Sequence, residues 1–310
     1  MPPERRRGMD HDHYEWSPFV NREVLTWPNG ARVALSVVVS LEHLDWQAPA
    51  GSYQSPGLYS HLAMQRPLPE IWTVSHREYG HRIGIYRVLD ALEESGVPAT
   101  VAIDAATAAS YPFLVRHLLE RKCEIIAHGL AVSRMITSRM SEEEERRYIR
   151  DSIEAVRTAT GQNPQGWFGP EYGESTRTPK LLAEAGIRYV CDWANDEQPY
   201  RMTTGKGELF ALPVMVELDD IFALRDRRFP VDGYAAQIKE GFDRVYRDAA
   251  ATGRLFVLSL HPWLIGQPFR IGFLEDALRD IVRQQGIWKA TGSEIIEWYR
   301  DKGRPERDRL

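Results

Sequence analysis

The stretch CEIIAHG, residues 123–129, is a short apolar run that ends in an ionisable side chain, His128, with glycine directly after it. A parallel strand buried on both faces reads this way, and α/β folds deliver the residue at the carboxyl end of such a strand into the cleft that holds their chemistry. Two other runs finish alike. ALSVVVSL at 34–41 leads into Glu42, His43 and Asp45, and LFVLSL at 255–260 leads into His261. One such histidine could as well satisfy a backbone group. Three strands with ionisable ends indicate a single site along the carboxyl edge of a sheet or barrel.

Outward from these runs, strand-like segments fall at 99–103, 166–168, 188–191, 209–214 and 287–289. Helical spacing begins at Tyr79, with Ile83, Tyr86, Leu89 and Leu92, and stops at Gly96 and Pro98. Further helices are expected over 113–121, 178–185, 234–251 and 293–300. Another is expected up to Thr160 behind Ser141, where Glu144 completes a capping box. Strand and helix alternate about seven times, which implies parallel strands with helices outside, in a doubly wound sheet or an incomplete TIM-like barrel. Residues 1–30 form an N-terminal arm, 31–302 one domain and 303–310 a polar tail. The proline-rich connection 47–75 is long enough to act as a lid or an intersubunit contact, a plain surface insertion being the alternative.

The 310 residues are 43% apolar and 27% charged, with a formal charge of −5. That composition builds a large core and leaves no basic footprint for nucleic acid or an anionic membrane. No apolar run is long enough to span a bilayer and the N-terminus lacks the apolar segment of a signal peptide, so the cytoplasm is the expected compartment. The two cysteines, Cys123 and Cys191, read as core thiols rather than a disulfide or a zinc knuckle.

Taken in order, Glu42-His43, His128-Gly129, GWFGPE (166–171), Asp192 and LSLH (258–261) resemble the motifs of the polysaccharide deacetylase (NodB-homology) superfamily. The resemblance runs from about Arg32 to Trp298 and implies a deformed seven-stranded (β/α) barrel. REYGHR (77–82), Gly166-Trp167 with Thr176-Arg177, and LIGQP (264–268) after Leu260-His261 are similar to the purine-catabolic, allantoinase-like branch. The metal-dependent deacetylases have two adjacent aspartates in the first motif, where this chain has Glu42 and His43. Their second motif has two histidines four residues apart; here His128 is followed at that distance by Val132. Their third motif brings an arginine that orients the catalytic carboxylate, and here that place holds Glu171, with Arg177 further along. His261 matches the fifth-motif histidine. The allantoinase-like branch implies a metal-free site; the alternative is a divalent ion such as zinc, held by His43 and His128 with Asp45, Glu42 or Glu171 as a third ligand.

Amide hydrolysis needs a base to activate water, donors for the oxyanion and an acid for the leaving nitrogen. Glu42 is the expected base, its carboxyl raised toward neutrality by burial beside Trp46 and Trp167 and pushed back by nearby histidinium. His261 is the expected acid, and His128 with His43 orients the carbonyl. Trp167 and Trp193 are candidates to stack on a flat substrate, although tryptophans at strand ends more often pack in the core or at the rim. Glu171 and Arg177 are expected to bind its polar groups, although Arg177 could instead cap a helix. Asp219-Asp220, after Val216–Leu218, could reach the cleft, solvated acids at a turn being the more usual reading. These readings describe a hydrolase of non-peptide C–N bonds that opens a small cyclic ureide or imide. A metal-dependent carbohydrate N-deacetylase and a catalytically degenerate barrel that binds a metabolite are the alternatives. A small-molecule substrate and a homo-oligomer are the expected partners.

Overall fold

The structure, a computed structural model, describes residues 9–53, 58 and 69–303. In chain order the strands are β1 (Val33–Leu41), β2 (Ala99–Ile103), β3 (Glu124–Ala127), β4 (Gly166–Trp167), β5 (Tyr189–Val190), β6 (Tyr200–Arg201), β7 (Phe210–Ala211), β8 (Arg254–Leu260) and β9 (Ile287–Lys289). The helices are α1 (Ile71–Tyr79), α2 (Ile85–Glu94), α3 (Ala105–Ser110), α4 (Pro112–Glu120), α5 (Glu142–Thr160), α6 (Thr178–Glu184), α7 (Val231–Asp248), α8 (Pro262–Ile265), α9 (Ile271–Val282) and α10 (Gly292–Trp298).

All nine side chains of β1 are buried, so the strand must be flanked on both edges and covered on both faces. β8 pairs with it in parallel along one edge. β9 and β2 divide the other edge, β9 against Val33–Leu35 and β2 against Val37–Leu41. The full order is β6-β7-β5-β4-β3-β2-β1-β8, parallel except for the β6–β7 pair. The sheet curls: beyond its last paired strands, Met215 N–H donates to Val257 O (3.0 Å) and Leu255 N–H to Glu197 O (2.7 Å), drawing the far end back toward β8. The result is the curled half-barrel of the expected (β/α) type rather than a flat doubly wound sheet. β9 is the strand expected at 287–289, and β6 is an addition to the strands read from the sequence.

Register is what builds the site. Leu41 lies opposite Ile103, Ile103 opposite Ala127, Ala127 opposite Trp167, and Val39 opposite Leu260. Residues 42, 104, 128, 168 and 261 therefore leave the sheet along one edge.

One helix begins earlier than its periodicity indicates. α1 starts at Ile71 and continues through a π-turn, Gly80–Gly84, into α2, so residues 71–75 belong to helix rather than to the long connection. Its N-cap is Glu70, whose carboxylate accepts the N–H groups of Thr73 (2.8 Å) and Trp72 (3.3 Å). Glutamate is not among the residues that usually announce a helix start, which is why the sequence hides this one. Much of the rest of the 47–75 connection, 54–57 and 59–68, lies outside the described residues, as do 1–8 of the arm and 304–310 of the tail. Gly84 lets this helix touch α8: a Cβ there would stand 2.0 Å from Pro262 O. That approach sets the helix carrying Arg77 against the strand end carrying His261.

The arm packs under the opposite end of the sheet. Trp27 is 1% exposed and donates its indole N–H to Arg254 O (2.9 Å). The capping box of α5 forms as expected, Ser141 and Glu144 each accepting the other's backbone N–H. Both cysteines are free, and burial pushes the Cys123 thiol up to about 11, which leaves it an inert core group. No helix among the described residues is long and apolar enough to cross a membrane.

Candidate functional site

Glu42 emerges from the end of β1 into a buried space, its side chain 2% exposed. Oε2 accepts from Arg77 Nη1 at 2.6 Å. Oε1 faces the Nε2 atoms of two imidazoles, His128 at 3.3 Å and His261 at 3.9 Å. The early, middle and late strand ends thus meet around one carboxylate oxygen. Burial alone would raise this carboxyl, but the His128 hydrogen bond and the charges of Arg77, His261 and His128 outweigh it and hold it well below the usual carboxylate range. The rise toward neutrality does not occur, because the expected push from the histidines is joined by Arg77, which the sequence reading did not place here.

Each histidine is fixed from behind. His128 Nδ1 donates to the Phe168 carbonyl, which commits that nitrogen to carrying a proton and leaves Nε2 to face Glu42. His261 Nδ1 donates to Asp220 Oδ1 (2.7 Å), and the His261 backbone N–H donates to the same carboxylate (3.0 and 3.1 Å). Burial pulls the His261 pKa down, yet Asp219, Asp220 and Glu42 together raise it to about 9. His261 is therefore a cation at neutral pH. Asp219 and Asp220 are both fully buried, so of the two readings the one that brings them to the cleft holds and that of solvated turn acids does not. Asp219 accepts from Ile221 N–H (2.8 Å) and Tyr172 Oη (2.9 Å) and stands 3.9 Å from His261 Nδ1.

Two participants escaped the sequence reading. Arg77 projects from α1 across the cleft, 5.0 Å from the Trp263 ring centroid, and its Nη2 lies 3.8 Å from Glu171 Oε1. The orienting arginine that the resemblance assigns to the Glu171 position is thus supplied by another element. Its only sequence signal was membership of the REYGHR string. Asp104 caps α3 through Thr107 N–H (2.7 Å) and also accepts the backbone N–H of His43 (2.5 Å), while burial pushes its pKa up to about 7. It pins the chain just after Glu42.

Glu171 reaches the cleft from a tight turn in which both it and Tyr172 adopt left-handed backbone, φ 53° and 58°. Non-glycine residues held there cost on the order of 1–3 kcal/mol each, and such strain gathers at functional sites. Burial raises the Glu171 carboxyl, with Glu42 adding to the rise and Arg77 opposing it.

Other expected residues lie elsewhere. Trp167 is 0% exposed and belongs to the core. Arg177 binds Glu145 (3.0 Å) and Met140 O (2.6 Å), tying α6 to α5, so it is a structural clasp rather than a substrate ligand. The Trp193 ring packs against His13 and Tyr14 of the arm, and its N–H donates to Glu174 (3.0 Å). His43 is partly exposed, 4.0 Å from Asp45, whose carboxylate is already held by Arg134 (2.6 and 2.7 Å) and Ser133 (2.6 Å).

The same contacts bear on the metal reading. His43, His128 and Asp45 do not close on one point; among the described residues the trio whose ligand atoms lie within 4.8 Å of one another is Asp219, Asp220 and His261. Those three already hold one another and their neighbours through the hydrogen bonds given above. Val132, where a second histidine would stand, is fully buried in an apolar cluster with Leu44, Leu58 and Val74. Arg77 occupies the cation position against Glu42. The Glu42 centre does not fit a divalent ion, whose ligands must be unprotonated and free.

Comparison with known proteins agrees with this architecture. A family model described as polysaccharide deacetylase matches residues 80–190. A Schizosaccharomyces pombe protein named "Putative polysaccharide deacetylase" is 25% identical over 302 residues, covering 89% of this chain and 92% of its own. A Helicobacter pylori protein named peptidoglycan deacetylase is 22% identical, covering 72% of this chain and 86% of its own. The crystal structure of Puue allantoinase superposes with a TM-score of 0.80 at 26% identity, over 92% of this chain and 96% of that one.

Proposed function

The chain carries a polysaccharide deacetylase (NodB-homology) domain and is a hydrolase of carbon–nitrogen bonds other than peptide bonds, and from that premise we propose that it opens the ring of a small cyclic ureide or imide. The observation that carries this reading is the convergence of His128 Nε2 and His261 Nε2 on Oε1 of Glu42, with Arg77 locked on Oε2. Glu42 is the base: ionised throughout the working pH range, it takes a proton from water as the water oxygen bonds to the ring carbonyl carbon. His261 is the acid: held protonated by its carboxylate neighbours, it gives its Nε2 proton to the ring nitrogen as the C–N bond breaks. His128 faces the same oxygen and donates toward the developing oxyanion. One product then bears both the new carboxylate and the released amine or ureido nitrogen.

The similarity to an allantoinase structure supports a compact ring substrate, as does a centre in which a guanidinium stands where a metal ion would be needed. A cytoplasmic homo-oligomer is part of the same reading. The relatives named as deacetylases keep a second one in view, a metal-dependent carbohydrate N-deacetylase. One panel tests both: allantoin, hydantoins, succinimide-type imides and acetylated sugars, each with and without chelator, beside elemental analysis of the purified protein. Ring opening indifferent to chelator supports the proposal. Acetate release that chelator abolishes, with one tightly held zinc per chain, replaces it. A barrel that only binds a metabolite is disposed of by any turnover that Glu42→Gln abolishes.

A further inference from the structure

We infer that Glu171 is the specificity-determining residue of the cleft, and that it selects a substrate bearing an N–H donor group, ureido, guanidino or amino, over one bearing a carboxylate; this rests on the hydrolase reading above. Glu42, Asp219, Asp220 and Asp192 each accept a hydrogen bond, as does Glu174 from Trp193 N–H at 3.0 Å, although its Oε1 is buried without a partner. Glu42 is held by Arg77 and His128, Asp219 by Ile221 and Tyr172, Asp220 by His261, and Asp192 by Gly169 N–H at 2.8 and 3.1 Å. Glu171 differs. Among the described residues it accepts no hydrogen bond, and Arg77 Nη2 at 3.8 Å is beyond bonding distance. Its side chain is 16% exposed, against 2% for Glu42, so it is largely desolvated yet keeps a face to the cleft.

A desolvated acceptor without a donor is unfavourable until something supplies one. A carboxylate accepts only, so the complement must be a donor. A ligand carboxylate would instead meet Glu171 and Glu42 together, with only Nη2 of Arg77, whose Nη1 is bound to Glu42, left to offset the two charges. The fold also holds this side chain deliberately in place. Tyr172 N–H donates to Gly169 O (3.0 Å), Gly173 N–H to Pro170 O (2.9 Å), and Tyr172 Oη to Asp219, the neighbour of the carboxylate that orients His261. The turn that presents Glu171 is thereby tied to the acid of the reaction, and a substrate group docked on Glu171 is registered against His261.

The test uses the purified full chain with three small probes, N-methylurea, methylguanidinium and acetate, followed by saturation-transfer NMR on the wild type, Glu171→Gln and Glu171→Gly. Glycine suits the left-handed backbone, so Glu171→Gly removes the carboxylate and relieves the turn, and it is expected to fold. Binding of one or both N–H probes to the wild type, little or none of acetate, and weakening of at least about tenfold in both variants uphold the inference. Which N–H probe binds tells a neutral ureido group from a cationic one. Acetate binding as well as the N–H probes, equal binding to wild type and variants, or no binding of any probe overturns it. The cyclic-amide panel is read separately: selective probe binding without turnover sinks the substrate proposal and leaves Glu171 as the selector.

Discussion

Replacing Asp220 by asparagine removes one negative charge beside His261 while keeping an oxygen to accept its N–H groups. In the wild type His261 rises from 6.5 to about 9 against the pull of burial, through Asp219, Asp220 and Glu42. A rise of that size corresponds to ~3 kcal/mol of preference for the protonated ring, at ~1.4 kcal/mol per pH unit. The groups facing the imidazole are Asp220 at 2.7 Å, Asp219 at 3.9 Å and Glu42 at 3.9 Å, so the nearest carboxylate carries a large part of it. If His261 is the acid, kcat/KM of the wild type should fall only above about pH 9. In Asp220→Asn that alkaline limb should move at least ~1 pH unit toward neutrality. Stability follows the same sign. A group whose folded pKa is raised contributes fully below its unfolded value of 6.5 and loses the contribution as pH climbs through about 9. Urea unfolding should therefore show the wild type losing stability between pH 6.5 and 9.5, with a smaller loss in Asp220→Asn. An alkaline limb that stays in place in the variant, or wild-type stability flat across that window, refutes the assignment of His261 as a carboxylate-held cation.

Glu42→Gln should lower kcat by ~10²–10⁴ with KM little changed, measured by steady-state assay on the best ring substrate; a KM effect alone would make Glu42 a binding group. Arg77→Met leaves the buried Glu42 carboxylate without its guanidinium and should cost ~3–5 kcal/mol in urea unfolding, much of it recovered in the Arg77→Met, Glu42→Gln double variant. Independence of the two substitutions would mean that the 2.6 Å pair does not bind as drawn. Gly84→Ala drives a methyl into the Pro262 carbonyl and should destabilise by at least ~1–3 kcal/mol, with activity falling further than folding as Arg77 is pushed from Glu42.

Much of this was legible in the chain because it is written locally. Apolar runs of four to nine residues announce buried strands, and an ionisable residue directly after such a run marks the edge where the candidate site lies. Glu42, His128 and His261 were found that way. The capping box at Ser141 and Glu144 was likewise complete within four residues. Arg77 was not legible, because it becomes a site residue only by a helix packing across the cleft, 35 positions from Glu42. Nor was its helix start, since Glu70 caps it without the usual signal. Trp167 misled for the opposite reason: position at a strand end says that a side chain leaves near the edge, and not to which face of the sheet it turns.

The residue order by itself therefore determined a parallel α/β fold and the three strand ends that carry the candidate site residues, because burial pattern and strand direction are properties of short segments. Only the tertiary structure decided the protonation of those groups. The charge on Glu42 is held by Arg77 and two imidazoles, and that on His261 by Asp219, Asp220 and Glu42. Electrostatic energy depends on distance through space in a medium from which water has been removed, and neither quantity is written in sequence spacing.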